Sequence, residues 1–307
     1  KPSEREIWLI IWVQMVNLRG ILFMMLSMAC FAIEDTFIKI LSARLPATQI
    51  LFSIGFGGAL ITFLIAFVSR VNLADKILLN KHVITRTVAD LFGALSFTSA
   101  MVLIPMSLLA SILQATPLFV TLGAAVLLGE KVGWRRWSAI LTGFVGVLII
   151  LQPGYGNFQI ASLLGLAAVL CLALRDVVTR DMATEIPTIT VTFYACLAMG
   201  SAGFIAYPFF GPLFLPTAFE TVVLIGAAII GLSGYLLLVL ATRKGDVSVI
   251  APFRYSRLLF SLGLASLILG EKLTFPIIFG GILIVGSGIY MFGRERRLSL
   301  RKIDSMN

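Results

Sequence analysis

The chain has 307 residues, of which 59% are hydrophobic and only 13% charged, and its mean hydropathy is +1.02. Soluble domains carry about 25% charged residues, so a water-soluble globule, a disordered chain, a collagen and a disulfide scaffold are excluded. The formal net charge of +9 fits basic loops that orient a polytopic membrane protein better than it fits a nucleic-acid surface.

In chain order, the apolar stretch 7–16 comes first, with Trp8 and Trp12. It is too short to span a bilayer and is expected to lie as a helix in the interface. Ten stretches then follow that read as membrane spans: 18–41, 48–68, 85–103, 106–128, 137–151, 161–182, 188–207, 219–241, 247–269 and 275–292. Turn signals separate them, among them Pro105, Gly129-Glu130-Lys131, Pro153-Gly154, Gly211-Pro212 and Gly270-Glu271-Lys272. The cysteines Cys30, Cys171 and Cys196 sit inside apolar runs without metal or redox spacing and read as packing residues.

With the N-terminus inside, eighteen Lys and Arg residues fall on the inner side and two, Arg44 and Lys272, on the outer. That asymmetry orients the chain. Both termini are therefore expected on the cytoplasmic side.

One offset, 141 residues, relates the two halves. It carries Gly129-Glu130-Lys131 onto Gly270-Glu271-Lys272, Ser107 onto Ser248, and Leu118-Phe119 onto Leu259-Phe260. It also carries Cys30, Asp35 and Pro46 onto Cys171, Asp176 and Pro187. The chain therefore reads as an N-terminal segment 1–17, a five-span repeat 18–152, a second repeat 153–293 and a basic tail 294–307. Five spans is an odd number, so the halves are expected to be inverted, as in secondary transporters with a midplane site. The expected fold class is all-α, with ten transmembrane helices as two inverted five-helix repeats.

Several motifs carry a family resemblance. They are the paired stretches 105–131 and 246–272, Ala115-Thr116-Pro117-Leu118-Phe119, and the run from Trp137 through Gly143 and Gly146 to Gln152-Pro153. Ala251-Pro252-Phe253-Arg254-Tyr255-Ser256-Arg257 completes the set. Over about residues 20–293 the chain resembles EamA-type members of the drug/metabolite transporter superfamily. Within it, Glu34, Asp35, Lys39 and Arg175-Asp176 resemble the bacterial S-adenosylmethionine and riboflavin uptake carriers. The resemblance implies ten helices, a central cavity and alternating access.

Charges inside spans are expensive and face the bundle interior. Asp35–Lys39, Asp176–Arg180 and Arg86–Asp90 are spaced i, i+4 and read as structural pairs. Glu34, Arg175, Arg254 and Arg257 have no such neighbour, and together they sum to +2. Glu34 and Arg175 are repeat equivalents that either pair with each other or both line the cavity. In the second case Arg254 and Arg257 grip the substrate, which favours a carboxylate or phosphate. Gln114, Tyr235 and Tyr255 either add hydrogen bonds and stacking or simply pack. Glu34 is also a proton-coupling candidate. Pro117 and Pro252 are expected to gate the fourth and ninth spans. Gly143, Gly146, Gly280, Gly281, Gly286 and Gly288 read as packing between the fifth and tenth spans, or as a dimer seam.

The single histidine, His82, and the absence of HExxH, GxSxG and Walker-type motifs argue against an enzyme or a primary pump. The expected function is secondary active transport of a small polar metabolite with an anionic group, such as an amino acid, organic acid, S-adenosylmethionine or flavin. A proton-coupled exporter of metabolites or drugs is the alternative. The expected partners are the substrate, the lipid bilayer and either a proton or an exchanged metabolite, for a monomer or homodimer. No nucleic acid, cofactor or metal is called for.

Overall fold

The computed structural model describes residues 4–73, 81–127, 129, 133–153, 159–180, 187–210, 212–244 and 250–304. Among these residues the chain forms α1 (Glu4–Leu41), α2 (Ala47–Val68), α3 (Lys81–Leu103), α4 (Met106–Leu113), α5 (Thr116–Leu127) and α6 (Trp134–Leu151). The second half forms α7 (Ser162–Arg180), α8 (Thr188–Phe210), α9 (Ala218–Lys244), a 3-10 segment (Ala251–Tyr255), α10 (Ser256–Leu267) and α11 (Phe275–Asp304). Joining α4 to α5, and the 3-10 segment to α10, recovers the ten spans expected. The protein is a helical polytopic membrane protein.

Two expectations change in detail. The stretch 7–16 is no separate element, because α1 runs unbroken for 38 residues from Glu4. At 1.5 Å per residue that is about 57 Å, well beyond the roughly 30 Å hydrocarbon core. The fourth and ninth spans are each discontinuous. Pro117 has no N–H to give the carbonyl of Leu113. The hydroxyl of Thr116 donates to that carbonyl instead, at 2.6 Å, which stabilises the break at Gln114–Ala115. In the ninth span Pro252 sits in the first turn of the 3-10 segment, which gives way to α10 at Ser256.

Among the described residues, five stretches are long and apolar enough to cross a membrane on length and composition: Leu18–Leu41, Ala47–Val68, Met106–Leu127, Thr188–Pro208 and Ala218–Ala241. The apolar parts of α6 and α11, Trp137–Leu151 and Phe275–Met291, are shorter. The α4–α5 stretch is the most enclosed, 67% buried against 39–44% for the other four. Met106, Leu109 and Ile112 of α4 are fully covered and pack with Ile50, Ile54, Val169, Ala227 and Ile284 in the main core. Leu60, Phe67, Leu141, Phe204 and Ile225 point outward, as a lipid-facing surface requires.

The contacts follow a two-fold exchange of the halves. α1 packs on α9, and α3 packs on α7 in the equivalent place. α2 packs on its own counterpart α8, and α6 on its counterpart α11. Residue equivalence holds locally too. A Cβ added to Gly93 would lie 3.2 Å from Cβ of Cys171, and one added to Gly234 would lie 3.0 Å from Cβ of Cys30. Gly129 and Gly270 both turn through left-handed φ, +67° and +66°, which favours glycine.

Glu271 uses the second turn to reach the other half. Its carboxylate accepts the N–H groups of Met106 and Ser107 at 2.7 and 2.9 Å, and the Ser107 hydroxyl at 2.6 Å. An anion thus caps the N-terminus of α4, where the helix dipole favours it. On the same side the Gln49 amide exchanges two hydrogen bonds with the backbone of Phe214. Arg44 bonds Glu220 at 2.9 Å and the carbonyl of Leu215 at 2.7 Å. At the opposite end, the Tyr194 hydroxyl donates to the carbonyl of Leu73 at 2.9 Å.

The α6–α11 contact depends on two glycines facing each other. A Cβ on Gly280 would lie 2.6 Å from the carbonyl oxygen of Gly146, and one on Gly146 would lie 2.8 Å from that of Gly280. Gly143 faces Leu118 and Ser287, Gly281 faces Leu258, and Gly288 faces Tyr255. Gly280→Val forces these backbones apart and is expected to cost about 1–3 kcal/mol, seen as a lower melting temperature of the detergent-purified protein. Gly286→Val, where a Cβ meets open space, is expected to shift it far less.

Candidate functional site

The charged side chains within the spans assemble from both halves. On α1, Asp35 is only 2% exposed, and it accepts from Arg257 of α10. Nη2 of Arg257 lies 2.9 and 2.8 Å from the two carboxylate oxygens, and Nε lies 3.3 Å from one of them. The guanidinium carbon also sits 5.3 Å from the centre of the Phe31 ring, a cation–π distance. The expected Asp35–Lys39 pair is therefore corrected. Asp35 is held across the halves by Arg257, and Nζ of Lys39 donates to the carbonyls of Met101 and Ile104 at 2.8 and 2.7 Å. Those carbonyls close the C-terminal end of α3, where helical oxygens lack intrahelical donors.

A second cluster joins α3 to α7. Arg175 bonds Asp176 at 2.8 Å and Asp90 at 3.3 Å. Asp90 also lies 3.9 Å from Arg86 one turn earlier. The Glu34–Arg175 pairing is thus replaced: Arg175 is held by Asp90 and Asp176. The expected Asp176–Arg180 pair involves a side chain outside the described residues. Asp176 itself turns to Arg175, and Arg254 and Arg86 lie within electrostatic reach of it. Tyr235 on α9 lies within similar reach of Arg175.

Two charges stay unpaired. Among the described residues, neither the carboxylate of Glu34 nor the guanidinium of Arg254 takes a hydrogen bond or an ion pair. Glu34 lies directly against Gly231, where an added Cβ would collide with its carboxylate. Cys196 on α8 lies within electrostatic reach of both Glu34 and Asp90, so the two clusters flank one central region. The sum of +2 expected for the unpaired set is corrected. Arg257 is neutralised by Asp35, Arg175 is held between Asp90 and Asp176, and the remaining pair, Glu34 and Arg254, carries opposite signs.

The break in each discontinuous span adds a polar orphan. Gln114 and Tyr255 are repeat equivalents at the offset of 141, and both are buried at 7% and 4% exposure. The Nε2 of Gln114 and the hydroxyl of Tyr255 have no hydrogen-bond partner. Ser261, one turn beyond Arg257, is fully buried with an unpartnered hydroxyl. Such groups are costly unless something satisfies them. Ser261 shares a helix face with Arg257 at i, i+4, a signal readable in sequence. The Glu271 cap carried no such signal, because it joins residues 164 and 165 positions apart. Among the described residues no group of His, Cys, Asp and Glu could hold a metal ion.

A bundle built from two related halves, with charged side chains of both halves brought together within the spans, has the architecture of a membrane transporter. Residues 18–152 and 159–293 each match the EamA-like transporter family, and the chain belongs to that family. The two matches start 141 residues apart. The chain is similar to an S-adenosylmethionine uptake transporter of Rickettsia bellii, 26% identical over 92% of this chain and 97% of that protein. It is similar to a riboflavin transporter of Rhizobium johnstonii, 25% identical over 91% of this chain and 92% of the relative. A pseudopaline exporter of Pseudomonas aeruginosa is 27% identical over 87% and 93%. A solved crystal structure superposes with a TM-score of 0.60 at 20% identity, covering 93% of this chain and 99% of the other, which supports the fold.

Breaking the Asp35–Arg257 pair from either side leaves an uncompensated charge in a span. Asp35→Asn and Arg257→Gln are each expected to lose about 3–5 kcal/mol of stability. The double variant is expected to recover much of that. Thermal unfolding of the four proteins in detergent measures the cycle, and strictly additive losses would show that the bond does not couple α1 to α10.

Proposed function

We propose that the protein is a secondary active transporter of a bacterial inner membrane, with both termini cytoplasmic. It moves a small polar metabolite bearing a carboxylate by alternating access between two inverted halves. The observation that carries the reading is Arg254. It is a guanidinium on the discontinuous ninth span, one turn before Arg257, and among the described residues it has no anion bonded to it. Arginine suits bidentate carboxylate binding. The breaks beside Gln114 and Tyr255 supply the unsatisfied polar groups that line such transport sites.

The contacts between the halves also fit a rocking cycle. Glu271, Gln49 and Arg44 tie the halves together at one end, and Tyr194 ties them at the other. These end contacts are polar, so opening one end gives up hydrogen bonds that water replaces. Among the substrates in the relatives' names, S-adenosylmethionine carries both a carboxylate and cationic centres, matching Arg254 and Glu34 in charge. Uptake is the proposed direction.

Purified protein in proteoliposomes is expected to take up labelled S-adenosylmethionine saturably. Arg254→Gln is expected to raise the half-saturating concentration about tenfold or more, as losing one charge-assisted hydrogen bond of about 1.5–3 kcal/mol implies. Uptake that rises linearly without saturation would sink the carrier reading. An unchanged half-saturation in Arg254→Gln would remove Arg254 from the site.

A further inference from the structure

The two halves make the same helix contact twice, and they differ at one point. At α3–α7, Gly93 meets Cys171, and one turn away Asp90 meets Arg175. At α9–α1, Gly234 meets Cys30, and one turn away Gly231 meets Glu34. The offset of 141 relates every partner: Gly93 to Gly234, Cys171 to Cys30, Asp90 to Gly231 and Arg175 to Glu34. What is an internal salt bridge in one contact is, in the other, a carboxylate facing bare backbone. The charge at the first position has changed sign, and the side chain at the second position is gone.

We infer that Glu34, whose carboxylate packs on the bare backbone of Gly231, forms a subsite for a cationic group of the substrate, an ammonium or a sulfonium. A carboxylate inside a span needs a positive partner. The neighbours do not provide one fully. Asp35 is acidic, and the hydrogen bonds of Arg257 go to Asp35 rather than to Glu34. The three charges Glu34, Asp35 and Arg257 leave one negative charge over. At the point of contact α9 presents the backbone of Gly231, and the thiol of Cys196 on α8 brings no positive charge. Gly231 is required for its lack of side chain: a Cβ there would occupy the position of the carboxylate.

Combined with Arg254, the subsite selects a zwitterion. Arg254 holds the carboxylate end and Glu34 the cationic end. Arg257, one turn from Arg254 and bonded to Asp35 beside Glu34, links the two positions. This inference rests on the transport reading above and narrows its substrate class from anions to dipolar metabolites.

The test compares wild type, Glu34→Gln and Glu34→Asp in proteoliposomes. The probes are S-adenosylmethionine, S-adenosylhomocysteine, which lacks the sulfonium charge, and the desamino analogue of S-adenosylmethionine, which lacks the ammonium. Wild type is expected to prefer S-adenosylmethionine at least tenfold over one of the two analogues, and the disfavoured analogue identifies which cation Glu34 receives. In Glu34→Gln that preference is expected to fall below threefold, while Glu34→Asp, which keeps the charge, retains most of it. A melting temperature of each variant in detergent establishes folding, and Glu34→Asp decides the matter if Glu34→Gln does not fold. A wild-type preference that persists in Glu34→Gln overturns the subsite and leaves the transport reading intact. So does wild-type transport that is indifferent to both cationic centres. So does loss of gradient-driven accumulation in Glu34→Gln with the preference unchanged, which makes Glu34 a proton carrier instead. Wild type that carries none of the three saturably overturns both readings.

Discussion

The low dielectric of the bundle interior leaves a charged side chain with no water to solvate it. Every carboxylate and guanidinium in a span must then find a partner or be held for one. The Asp35–Arg257 bond meets this requirement across the two halves of the chain, and much of the interior follows from it. It fixes α10 against α1, which sets the direction of Arg254 one turn away and holds Glu34 beside a neutralised pair. The Arg175 cluster does the same for α3 and α7. Lys39 is satisfied differently, by helix-end carbonyls, which frees Asp35 for Arg257.

Duplication explains the architecture, and departures from it mark the chemistry. Paired glycine turns, the Gly–Cys contacts and the two broken spans all obey the repeat. Among the positions where it fails are several charged or polar ones: Asp90 against Gly231, Arg175 against Glu34, Gln114 against Tyr255, and Thr116 against Arg257. A symmetric interior would present the same groups to both ends of a substrate. Replacing a few equivalents leaves the interior with an acidic side chain at one place and a basic one at another.

Much of this was legible in the sequence because membrane spans are a one-dimensional signal. Length, hydropathy and a constant offset suffice to count the spans and pair the halves. Prolines marked the discontinuous spans, though not the point at which each breaks. Ion pairing was not legible in the same way. Asp35–Lys39 has ideal i, i+4 spacing, yet spacing on one helix says nothing of a guanidinium 222 residues away on another. The Thr217–Glu220 spacing at the start of α9 is a capping box readable locally, and there the Thr217 N–H does donate to Glu220 at 2.6 Å. Local hydrogen bonds can be read from neighbours in sequence, whereas partners in a bundle core are set by which helix faces meet.

Charge also gathers on three spans that fall short of an ordinary apolar span in length or composition. α3 carries Arg86 and Asp90, α7 carries Arg175 and Asp176, and the ninth span carries Arg254 and Arg257. None of the three is among the stretches apolar enough to cross unaided. α3 and α7 meet through Asp90 and Arg175, and in the ninth span Arg257 meets Asp35 of α1, which offsets the cost of burying those charges. In the proposed reading, the unpartnered remainder, Glu34, Arg254, Gln114 and Tyr255, sets selectivity through the cost of leaving it unsatisfied. A ligand that bonds these groups recovers that cost, and one that covers them without bonding does not. Polar orphans of this kind reject a near-isostere far more strongly than an apolar wall can. A carrier that distinguishes one dipolar metabolite from its neutral relatives needs no more than a few such groups, provided the rest of the charge is already paired.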